Sequence, residues 1–157
     1  MLGGLACFAL EPDCSLGSLA RRVHQIGAVA LEPVFAAEGI TGPQWSALAS
    51  IWFKRGATSA ELARDMAHDK GAMTRLVDSL EAKGWITRER CTDDRRVVNL
   101  TLTPEGEAVA IRVRLSVIDC WNRWLSDWDE NEVTTMISMM QKLRDTLLIK
   151  TAGGADA

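Results

Sequence analysis

Two sets of residues in this 157-residue chain could do chemistry on a polyanion. One is Lys70, Gly71, Ala72, Thr74 and Arg75, crowded at what reads as the start of a helix. The other is Arg88, Arg90, Asp94, Arg95 and Arg96, spread around the charged turn Cys91-Thr-Asp-Asp-Arg95. The first set suits approach to base edges. Gly71 and Ala72 leave room, Thr74 can bond a phosphate, and Arg75 can reach a guanine or a phosphate. A helix pair followed by a basic hairpin can put one helix in a major groove and one arginine in a minor groove. The bland alternative is a solvated helix face followed by an ordinary charged turn. Arg55 and Ser59, at the entry to a short preceding helix, are weaker phosphate-contact candidates.

Those residues need elements to hold them. Thr58-Ser-Ala-Glu61 matches a capping box and starts a short helix Ser59–Met66 with Leu62, Ala63 and Met66 inward. Asp69 is an N-cap candidate for a helix Lys70–Lys83 that buries Met73, Leu76, Val77 and Leu80 and stops at Gly84. Trp85–Arg90 and Val97–Leu102 alternate as two strands. Upstream, Leu16 to Phe35 has helical apolar spacing, with a kink expected at Pro33, Ser15 as N-cap and Gly39 as C-cap. Thr41-Gly-Pro43 opens the next helix, which carries Trp45, Leu48, Ile51 and Trp52. Thr103-Pro-Glu-Gly106 starts a long helix to about Leu125, and Asp129 caps a last one to about Ile149. The order is α-α-α-α-β-β-α-α. The central α-α-β-β part is expected to be short of core. The long flanking helices carry more apolar surface than they can hide alone, so a homodimer is expected.

In these words and their order the sequence resembles the MarR family of winged-helix transcriptional regulators. The resemblance rests on Gly39-Ile-Thr-Gly-Pro-Gln-Trp45, on Met73-Thr-Arg-Leu-Val-Asp-Ser-Leu-Glu81-Ala-Lys-Gly84, and on Asp94-Arg-Arg-Val-Val-Asn-Leu-Thr-Leu-Thr-Pro-Glu-Gly106. It covers about Ser15–Leu148. It implies a mainly α fold with a small β wing: a winged helix-turn-helix module, about 41–103, embedded in a helical dimerisation frame, about 15–37 and 104–149. An irregular segment 1–14 and a flexible tail 150–157 would flank that single domain. It implies double-stranded DNA as partner, repression as the sign, and Arg96 in the minor groove, braced by Asp94 and Arg88. It also implies regulation by a small aromatic or phenolic ligand between frame and module, where Arg22, His24, Trp45 and Trp52 could line a crevice. The alternative for those four is core tryptophans and surface polar residues. Some members sense peroxide through a first-helix cysteine supported by tyrosines. Here there is no tyrosine, and Cys14 lies just before the first helix. Cys91, in the turn, is a second redox candidate, because its oxidation would add bulk or charge beside a DNA backbone.

The bulk numbers fit one domain, with 47% apolar and 25% charged residues. Net charge is −3, yet residues 54–100 hold ten Lys/Arg against eight Asp/Glu, a local +2 on an acidic body. Four cysteines without CxxC spacing and two distant histidines give no zinc pattern, so no metal and no cofactor are expected. No run approaches the ~20 apolar residues of a membrane span, and Met1–Leu10 lacks a basic flank, so a cytoplasmic protein is expected. There is no phosphate loop or nucleophile motif, which argues against an enzyme. The remaining rivals are a winged-helix module for protein–protein contact without DNA, and a thiol-based redox regulator.

Overall fold

Among residues 15–54, 58–66, 69–91 and 97–152, which a computed structural model describes, six helices and one hairpin follow in the predicted order. They are α1 (Leu16–Ala37), α2 (Gly42–Lys54), α3 (Ser59–Asp65), α4 (Lys70–Ala82), β1 (Ile86–Arg90), β2 (Val98–Leu102), α5 (Pro104–Trp124) and α6 (Glu130–Ala152).

Local chemistry sets the boundaries. α1 stays one helix through Pro33 and ends at Gly39, whose φ of 64° is left-handed. Gly39 N–H donates to the Ala36 carbonyl and Ile40 N–H to that of Phe35, a Schellman closure that buries Ile40. α4 ends in the same way: Gly84 (φ 71°) donates to Glu81 and Trp85 to Leu80. Ser15 occupies the N-cap position of α1 with extended backbone, but its side chain makes no cap bond. α2 opens with a capping box, Thr41 Oγ1 accepting from Gln44 N–H at 3.3 Å and Gln44 Oε1 from Thr41 N–H at 3.1 Å. α3 has the box expected from Thr58 and Glu61, at 3.2 and 2.8 Å. Asp69 caps α4 by accepting from Ala72 N–H at 2.9 Å.

β1 and β2 pair antiparallel from Ile86↔Leu102 to Arg90↔Val98, and Thr58 forms an isolated bridge to Asn99. Thr103 then binds the helix ends together. Its hydroxyl donates to the Gly84 carbonyl at 2.6 Å and accepts from Gly106 N–H at 3.0 Å. This seats the first turn of α5 on Trp85. A Cβ on Gly106 would lie 1.9 Å from the Trp85 carbonyl oxygen, so the glycine is required by close approach.

The chain separates into two units, up to Val117 and from Ile118. In the first, the largest fully buried side chains are Leu48, Ile51, Leu62, Met73, Val77, Leu80, Ile86, Leu100 and Val113. Six of these nine come from α3, α4, β1 and β2. The winged part thus supplies six of these side chains, and α2 and α5 supply Leu48, Ile51 and Val113 to the same core. Ala63, Met66 and Leu76, expected inside, are half-buried. α1 leaves Leu16, Leu19, Val23 and Ile26 exposed. The second unit holds the end of α5 and all of α6. Trp121 and Trp124 meet edge to face at 5.2 Å, with Trp128, Met136, Ile137, Met140 and Leu147 exposed. α6 continues through Ala152, further than the expected start of a flexible tail at 150. The irregular segment expected at 1–14 lies outside the described residues. No helix among those described is long and apolar enough to cross a membrane.

Candidate nucleic-acid interface

α4 is amphipathic by construction. Met73, Val77 and Leu80 are buried at helical spacing, which turns Lys70, Gly71, Thr74 and Arg75 to solvent. Ala72 is half-buried, with its N–H committed to Asp69. A Cβ at Gly71 would meet Asp69 Oδ1 at 3.2 Å, so the small residue keeps the cap unstrained. Thr74 Oγ1 donates to the Lys70 carbonyl at 2.8 Å. In that rotamer its proton is spoken for, and donating to a phosphate needs the hydroxyl to turn away.

The outward face is not uniformly basic. Asp78 and Glu81 follow about one and two turns after Arg75, also exposed. Arg88 on β1 pairs with Asp78 and reaches Glu81 at 3.4 Å. The family resemblance implies Arg88 beside Asp94 and Arg96. Those two residues and Arg95 lie outside the described residues, as do Arg55 and Cys14. The described partners of Arg88 are on α4, so it joins the hairpin to the acidic end of that helix face. Arg90 is exposed at the last residue of β1. Cys91 is half-buried, and its N–H closes the hairpin on the Val97 carbonyl at 2.9 Å.

Beside this face, α3, α4 and β2 enclose a cleft of about 620 Å³. It is lined by Ser59, Lys70 and Thr74 among polar residues and by Ala63, Met73 and Val98 among apolar ones. The four residues expected to line a ligand crevice lie elsewhere. Arg22 and His24 are exposed on α1, and Trp45 is half-buried on α2. Trp52 stacks on Phe53 at 6.0 Å, with the Arg114 guanidinium 5.7 Å from its ring.

The sequence reading missed one buried group. Gln44 has 7% exposure, and its amide donates to Ser79 Oγ at 3.0 Å. Lys83 Nζ donates to the Gly39 carbonyl at 2.6 Å and to Gln44 Oε1 at 3.3 Å. The Thr-x-x-Gln spacing could have found the cap, but nothing in the sequence points to the bonds 35 residues away.

The model of the MarR family matches residues 40–98 of this chain. The chain is 37% identical over 94 residues to the multiple antibiotic resistance protein MarR of Salmonella typhimurium, covering 60% of this chain and 65% of that one. That match therefore spans just under two thirds of the relative. The Escherichia coli protein of the same name is 30% identical over 129 residues, with 82% of this chain and 90% of the relative covered. A crystal structure of a mutant MarR from E. coli complexed with operator DNA superposes with a TM-score of 0.70 at 30% identity, covering 82% of this chain and 92% of that one. A Mycobacterium tuberculosis MarR family protein in complex with salicylic acid gives 0.70 at 28%, covering 82% and 96%.

Proposed function

This chain belongs to the MarR family, and we propose that it is a cytoplasmic transcriptional regulator that represses by binding a pseudo-palindromic DNA site as a homodimer. The carrying observation is the outward face of α4. Lys70, Gly71, Thr74 and Arg75 stand free of the core at the N-terminal end of a capped helix, while Met73, Val77 and Leu80 anchor the opposite face. That is what a helix must offer to enter a major groove. Arg90, Arg95 and Arg96 on the hairpin are proposed for the neighbouring backbone and minor groove, with Asp94 holding Arg96. Pre-setting that arginine lowers the entropy lost on binding. The solved relative with operator DNA supports the reading.

The dimer rests on the exposed apolar stripe of α1 and, separately, on the exposed tryptophans and methionines of the second unit. Two copies would then present two α4 helices. A nuclease footprint on a fragment selected from genomic DNA should show two half-sites about one helical turn apart, roughly 34–36 Å. Protection of a single asymmetric half-site contradicts the dimer reading. A small aromatic acid or phenol is proposed as releasing ligand, supported by the relative that holds salicylic acid. Trp52 with Arg114 over its ring offers one aromatic wall with a cation.

A further inference from the structure

We propose that Gln44 is a positioning residue for the recognition helix, coupling the end of α1 to the last turns of α4 through Ser79 and Lys83. The inference rests on the DNA-binding reading above and says what sets the reach of its recognition helix. Gln44 is the buried polar side chain among the described residues. Its orientation follows from its neighbours. Ser79 Oγ donates to the Leu76 carbonyl at 2.7 Å, so its oxygen must accept, and only an amide N–H can supply that bond. The amide oxygen then faces Thr41 N–H at 3.1 Å and Lys83 Nζ at 3.3 Å. A capping box alone is equally served by glutamate. The neutral amide is needed because the group is buried and has to donate as well as accept.

Lys83 completes the node. Its ammonium also accepts nothing and gives a bond to the Gly39 carbonyl at 2.6 Å, and it lies 4.4 Å from the Trp85 ring centroid. The start of α2 and the end of α4 thus meet at the Gln44 amide, and Lys83, bonded to that amide, links them to the turn after α1 and to the entry to the hairpin. Apolar packing tolerates small sliding of a helix, whereas directional hydrogen bonds do not. The node therefore fixes the rotation of α4 relative to α1, whose apolar stripe is offered to the second copy.

The test uses full-length protein and an operator fragment selected by the wild type, together with fragments carrying one or two base pairs inserted between the half-sites. The wild type should discriminate against the inserted fragments. Ser79→Ala and Gln44→Met should narrow that discrimination about fivefold, the worth of one directed hydrogen bond, while binding to random DNA stays unchanged. Val109→Ala, which loosens the core elsewhere, should lower Tm and keep the wild-type spacing profile. Variants that lose Tm but keep the full discrimination overturn the inference and leave Gln44 structural. A wild type that binds no DNA overturns the DNA reading first, and this inference with it.

Discussion

Arg88 on β1 is ion-paired with Asp78 on α4, and its second nitrogen reaches Glu81 one turn further along. The pair joins the hairpin to the helix proposed to enter the major groove. It also screens two carboxylates on a face that exposes Lys70 and Arg75. Both partners are substantially exposed, at 32% and 55%, so their bond contributes little to folding, under about 1 kcal/mol. Its value lies in placement and in charge.

Arg88→Ala should therefore weaken operator binding about three- to tenfold with almost no change in urea midpoint. Adding Asp78→Ala should recover part of that loss, because the carboxylate left uncompensated by the first change is removed. Purely additive losses in titrations of the four proteins would show that Arg88 acts on DNA directly.

Gly106→Ala should destabilise the fold by roughly 2–4 kcal/mol, as overpacking against backbone does. The Trp85 carbonyl, 1.9 Å from the added carbon, cannot move without breaking its bond from Thr103 N–H at 3.0 Å. Urea denaturation reads the loss directly, and a change under about 1 kcal/mol would mean that α5 reseats freely.

Asp69→Ala should cost about 1 kcal/mol by uncapping α4, and Asp69→Asn only a few tenths. The same helix end carries Lys70 and Gly71, so fraying there should lower DNA affinity in the alanine variant. Equal stability of the alanine and asparagine variants would remove the cap from the explanation.

Much of this fold is legible in the sequence, and the reasons are local. Thr58 and Glu61, Asp69, Gly39 and Gly84 act within a few residues of themselves, and their spacing carries the information. The order of elements and the outward turn of Lys70, Thr74 and Arg75 follow from apolar periodicity. Gln44 was invisible because its bonds to Ser79 and Lys83 join segments far apart in the chain. Arg88 reads as one more wing arginine, since only the packing of β1 on α4 brings Asp78 to it. Leu62 and Leu80 read as buried from helical spacing, whereas Ile86 and Leu100 sit on short strands whose buried face only the packing on α3 and α4 decides. Arg55, Asp94, Arg95 and Arg96 lie outside the described residues and stand on the sequence and the family resemblance.

Arg96→Ala carries the sharpest of those sequence-based expectations. Affinity for the selected operator should fall while Tm and oligomeric state stay as in the wild type. Unchanged operator binding would take Arg96 out of the interface.

The most direct measurement is the salt dependence of binding to a selected genomic fragment, for the wild type and for Lys70→Ala. Phosphate contacts release counterions, so wild-type affinity should fall by about a thousandfold between roughly 50 and 200 mM salt, and Lys70→Ala should lower the logarithmic slope by about one. Binding that ignores salt, or a Lys70→Ala slope equal to that of the wild type, would contradict the placement of α4 on DNA.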